Sequence, residues 1–121
     1  MVSAMAGTPY ALKDVRGKIL FLEDVGEKPY RVDRMLTQLL QSVDMRQLAG
    51  IALGIFSDCG APEGSPTVQS VCRERLGSLR IPVVYGLSFG HVRDQFTLPL
   101  GIRAELDAAR ATLTLLEAAV Q

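Results

Sequence analysis

With 121 residues, of which 48% are hydrophobic and 21% charged, the chain is long enough for one core and too short for two. Thirteen basic residues balance thirteen acidic ones, so no basic stripe or polyanionic tail calls for a charged partner, and neither nucleic acid nor a membrane is expected as one. The longest apolar runs, such as Gly50 to Phe56, fall well short of the roughly 18 residues of a membrane span, and Met1 to Ala6 lacks the basic flank of a signal peptide, which makes the cytoplasm the expected compartment.

In chain order, the first seventeen residues hold an apolar scrap, Met1 to Ala6, and a linker-like Gly7-Thr8-Pro9-Tyr10. Residues 1–17 are read as a linker and the remnant of a preceding element, and the domain proper as 18–121. The chain reads as a fragment. Surface stripped of a partner domain, with an apolar strip that has no home, predicts self-association through residues 1 to 12 and hence a homo-oligomer. Residues 18–23 form an apolar run closed by Asp24 to Gly26, as in a buried strand. Pro29 suits the first position of a helix to about Asp44, on which Val32, Met35, Leu36, Leu39, Leu40 and Val43 make one apolar face.

Residues 50–56 are apolar throughout, which suits a central strand covered on both sides. After a loop at Asp58 to Gly64, Ser65 is expected to cap a second helix with Pro66 at its first position and Val68, Val71, Cys72, Leu76 and Leu79 on its buried face. Pro82 to Leu87 is the third strand. Right-handed crossovers make the three strands parallel. Beyond Pro99 and Gly101, residues 103–107 and 112–116 alternate around a turn near Ala108 to Ala111, as in an antiparallel hairpin with one wet face. The fold class is α/β, a β-α-β-α-β core with a second small sheet, in layers of sheet, sheet and helix.

Cys59 and Cys72 show neither a C-x-x-C spacing nor a histidine pair, so two reduced, packed cysteines are expected, with no metal site and no cofactor. Nothing around Cys59 supplies the positive charge that would activate a thiol. The chemistry-bearing candidates are Glu23, at the end of the first strand run, and His91, the lone histidine, just after the third. Parallel strands open their C-terminal ends on one edge, where α/β sheets build their sites. Glu23 and His91 are therefore expected at adjacent strand ends within hydrogen-bond reach, two members of a serine-histidine-acid triad. For the serine, Gly86-Leu87-Ser88-Phe89-Gly90 matches the G-x-S-x-G nucleophile elbow, but no helical pattern comes after it and the histidine stands inside the turn itself. Ser88 reads as a loop residue, and Ser57, Ser65 and Ser70 as loop, cap and exposed helix face.

Together, the segment from Phe21 to Leu36, then Gly54-Ile-Phe-Ser-Asp-Cys, Pro82 to His91 and Leu98-Pro-Leu-Gly resemble the C-terminal domain of the serine LD-carboxypeptidases. That family includes the muramoyl-tetrapeptide carboxypeptidases of cytoplasmic murein recycling and the microcin C self-immunity proteins. The resemblance implies a swivelling β/β/α domain. It also implies a Ser-His-Glu triad whose glutamate is Glu23 and whose histidine is His91. The nucleophilic serine then belongs to an N-terminal domain absent from this chain, and the substrate is a murein peptide cleaved before a C-terminal D-amino acid. Family members usually carry proline at the position of Ser88, against the elbow. The competing readings are a toxin-cleaving immunity peptidase and a non-catalytic binding or assembly module of the same fold.

Overall fold

The computed structural model of the chain describes residues 2–120. Three short apolar runs form a parallel sheet of β1 (Ile19–Leu22), β2 (Gly50–Leu53) and β3 (Val83–Tyr85), with β2 in the centre. Ile19 pairs with Gly50 and Leu22 with Leu53 on one side of β2, and Ile51 pairs with Val83 and Leu53 with Tyr85 on the other. The crossovers are α1 (Pro29–Ser42) and α2 (Val68–Gly77), and an antiparallel hairpin of β4 (Ala104–Asp107) and β5 (Thr112–Leu115) completes the chain order.

The two faces of β2 are built differently, and that difference makes the layers. Ile51 and Leu53 join a core with Val32, Leu36 and Leu39 of α1 and Val71, Cys72 and Leu76 of α2. Alternation along the strand turns Gly50, Ala52 and Gly54 to the other face. A Cβ on Gly50 would lie 2.7 Å from Leu106 of β4, and one on Gly54 would lie 2.5 Å from the Phe89 carbonyl oxygen. Small residues here let the hairpin and the segment after β3 rest directly on the sheet. In the hairpin, Leu106 pairs with Leu113 on the covered face, while Glu105 and Thr114 pair on the wet one and are exposed.

Several boundaries differ from the sequence-based expectation. α1 stops at Ser42, because Val43 is extended and Asp44 instead caps a 3-10 turn (Met45–Gln47) by accepting from the Arg46 amide. α2 is capped by Thr67 rather than Ser65: the Thr67 hydroxyl accepts from the Ser70 amide at 3.1 Å, and Pro66 lies outside the helix. β3 ends at Tyr85, where Gly86 adopts φ +86°. The apolar strip at the start does have a home. Val2 and Leu12 pack on the helix-facing core, Ser3 and Val15 are buried, and a 3-10 turn (Ser3–Met5) docks on α1. Met1 lies outside the described residues.

No helix among the described residues is long and apolar enough to cross a membrane.

Candidate functional site

Glu23 is the first residue beyond β1, so the strand itself aims it past the C-terminal edge of the sheet. His91 reaches that edge by a different route. β1 and β3 are not neighbours, and the expectation of adjacent strand ends is corrected here: the chain after β3 crosses over the end of β2 to bring His91 to Glu23. Its path is set by two contacts with β2's continuation. The Ile55 amide donates to the Phe89 carbonyl at 3.0 Å, and the Ser57 hydroxyl donates to the His91 carbonyl at 3.0 Å. The Phe89 ring is buried on Gly54 and lies 5.5 Å from the Phe21 ring, so it anchors the crossing on the small-residue face.

At the meeting point His91 Nδ1 stands 2.8 Å from Glu23 Oε2. The glutamate side chain is 28% exposed and the imidazole 62%, so the carboxylate is partly sheltered while the ring faces outward. Gly90, between Phe89 and His91, has φ +111°, and a Cβ there would come within 2.8 Å of Glu23 Oε2. Only glycine fits that turn without pushing the carboxylate away.

The other candidates fall outside this pair. Ser88 is exposed, its carbonyl accepts from the Phe96 amide at 2.8 Å, and no helix intervenes before β4, so the elbow geometry is not formed. Cys59 is buried beneath the Asp24 turn, with its sulfur 3.2 Å from the Ser57 carbonyl, and burial pushes its thiol up from the ordinary value. Cys72, inside α2, is pushed up to about 11 by burial. Both cysteines are free. Among the described residues no group of three or more His, Cys, Asp or Glu side chains is placed to hold a metal ion.

Sequence reasoning names Glu23 and His91, reads Ser57 only as a loop residue and gives Gly90 no role of its own. Gly90 was legible as a residue allowing positive φ. Ser57 lies within Gly54-Ile-Phe-Ser-Asp-Cys, one of the segments that carry the family resemblance, but nothing in that segment marks its hydroxyl for a role at the site.

The family model for the LD-carboxypeptidase C-terminal domain matches residues 1–106. The chain belongs to that family. It is 39% identical over 109 residues to the murein tetrapeptide carboxypeptidase of Pseudomonas aeruginosa, a match that covers 90% of this chain and 36% of that protein. The crystal structure of muramoyltetrapeptide carboxypeptidase from Oxalobacter formigenes superposes with a TM-score of 0.76 at 42% identity, covering 86% of this chain and 36% of that one. The microcin C7 self-immunity protein MccF shares the fold, with a TM-score of 0.83 at 23% identity over 99% of this chain and 37% of that one. The chain thus spans about a third of the length of the curated relatives it matches.

Proposed function

We propose that this chain is the base-and-orienter part of a serine-type LD-carboxypeptidase that cleaves murein tetrapeptides before their C-terminal D-amino acid in the cytoplasm. The observation that carries the proposal is the 2.8 Å contact between Glu23 Oε2 and His91 Nδ1 at the C-terminal edge of the sheet. A carboxylate on Nδ1 selects the tautomer with its proton there, which leaves the Nε2 lone pair to act as a base.

In the proposed reaction a serine hydroxyl from an N-terminal domain of the full protein attacks the scissile carbonyl, and His91 Nε2 takes its proton. The imidazolium so formed is steadied by Glu23 and then donates that proton to the departing D-amino acid's amine. Water repeats the cycle on the acyl-enzyme and releases the serine. The exposure of the imidazole suits a base that must meet a nucleophile outside this chain. The murein reading is preferred over the toxin-cleaving one because the relatives with murein peptide carboxypeptidase names match at 39% and 42% identity. The self-immunity structure is 23% identical and speaks to the fold alone. A homo-oligomer belongs to the same proposal and is checked by light scattering at high concentration.

The test is reconstitution. The purified chain releases no D-alanine from a murein tetrapeptide, and adding a matching N-terminal serine domain restores hydrolysis. His91→Ala or Glu23→Gln then removes it by several powers of ten, while Ser88→Ala leaves it nearly intact. Ester hydrolysis by the chain alone that disappears in Ser88→Ala would instead establish the elbow. Silence of the reconstituted pair would favour a non-catalytic module.

A further inference from the structure

Beyond the end of β2, one residue is hydrogen-bonded to both sides of the site. Past Leu53 the chain no longer forms a regular strand, yet it stays tied to both neighbours. On the β1 side, the Gly54 amide donates to the Leu22 carbonyl and the Gly26 amide to the Ser57 carbonyl, each at 2.9 Å, with Val25 and Ser57 forming an isolated parallel bridge. On the other side the Ile55 amide donates to the Phe89 carbonyl, and the Ser57 hydroxyl donates to the His91 carbonyl at 3.0 Å. Ser57 therefore holds the turn after Glu23 with its main chain and the His91 main chain with its side chain.

His91 has few other restraints. Its ring is bonded to Glu23, and its carbonyl to Ser57. The preceding Gly90 adopts φ +111° and its carbonyl accepts from the Val92 amide at 3.0 Å, a single tight turn over His91, while the chain from His91 to the start of β4 forms no regular element. An exposed imidazole on such a segment would sample many placements if only the carboxylate held it.

We propose that Ser57 is a positioning residue for the Glu23–His91 pair, its hydroxyl fixing the His91 main chain so that Nδ1 meets the carboxylate and Nε2 points outward. It is not a nucleophile, because its proton is committed to a carbonyl rather than to the imidazole. The inference rests on reading the pair as orienter and base, and it adds the element that registers one to the other.

The experiment reads the imidazole directly, in the chain alone. Two-bond nitrogen–proton correlation spectra of the nitrogen-labelled chain, at a pH where the ring is neutral, give the fraction of the tautomer with its proton on Nδ1. That tautomer dominates in the wild type. Ser57→Ala lowers its fraction at least by half, while Ser57→Thr, which keeps the hydroxyl, restores it. Ser57→Cys, close in volume and a weak donor, reads the same loss should Ser57→Ala fail to fold. In the reconstituted enzyme Ser57→Ala lowers kcat by up to about 100-fold, the scale of a small misplacement of a reacting group, with KM little changed. A wild-type tautomer fraction in the folded Ser57→Ala or Ser57→Cys chain overturns the proposal. A shifted tautomer together with a wild-type pair that never hydrolyses peptide overturns the carboxypeptidase reading and leaves the positioning role standing.

Discussion

Glu23 sits one residue past a strand whose every position pairs with β2, backed by the helix-facing core, whereas His91 stands in an irregular segment that lies across the end of β2. The carboxylate is placed by regular structure, and the imidazole by a few specific contacts: the Phe89 ring on Gly54, the Ile55–Phe89 hydrogen bond and the Ser57 hydroxyl. A carboxylate fixed in this way can meet an imidazole carried on a looser arm, provided that arm is pinned near its tip. Substitutions in the core should therefore remove both halves together, and substitutions in the arm should separate them.

The largest effect is expected from Leu53→Ala. Leu53 is 1% exposed on the helix face of β2, so the change should cost about 2–5 kcal/mol, the range for truncating a buried leucine. Urea denaturation should show one cooperative transition at lower midpoint, the tautomer signal of His91 vanishing with the fold. A stability loss under about 1 kcal/mol would mean that the core is less tightly packed at β2 than its burial implies.

Gly90→Ala should divide the two halves. An L side chain at φ +111° is strained, and its Cβ would press on Glu23 Oε2, so the dyad breaks while the parallel core remains. Hydrolysis by the reconstituted enzyme should drop on the order of 100-fold, against a stability loss of about 1–3 kcal/mol. Equal activity in Gly90→Ala would show that the Glu23 contact does not govern the base.

The two thiols sharpen the same contrast in time. Burial raises Cys72 from 9.0 to about 11, which makes its thiolate about 100-fold scarcer at pH 8 than in an unfolded chain. Cys59, also raised by burial, lies under the turn beside the site. Alkylation and then mass spectrometry should find Cys59 labelled before Cys72 in the native protein and both at similar rates in urea. The reverse native order would place the weaker region at α2.

The smallest effect concerns the ion pair that ties the helices together. The Arg75 guanidinium beside Asp33 holds that carboxylate below its ordinary value of 3.8. A lowered folded value means that the contribution is fully present above the unfolded pKa and is lost as pH falls through the folded one. Below about pH 4 the urea midpoint should therefore fall less in Asp33→Asn than in the wild type. Both side chains are more than a third exposed, so solvent screening keeps the difference slight. A midpoint difference that does not change with pH would remove the pair from the account of acid sensitivity.

Local sequence was enough to settle the β-α-β-α-β order, the apolar faces of both helices and the hairpin, and to single out Glu23 and His91 as candidates, because each rests on periodicity or on a short run of residue types. Its errors lie where a local signal has two outlets. Asp44 fits a helix end as well as a cap for the next turn, and Ser65-Pro66-Thr67 offers two candidate caps, of which only Thr67 is placed to bond the Ser70 amide. The opening residues read as a linker because Val2, Leu12 and Val15 are too scattered to show a period, and only their docking reveals them as core. The parallel order already puts Glu23 and His91 on one edge of the sheet within reach of each other, but only packing in three dimensions carries His91 across the end of β2 and sets Ser57 to hold it there. The Ser57–His91 contact joins residues 34 positions apart across a segment with no repeating pattern, and spacing along a chain carries no record of such a crossing.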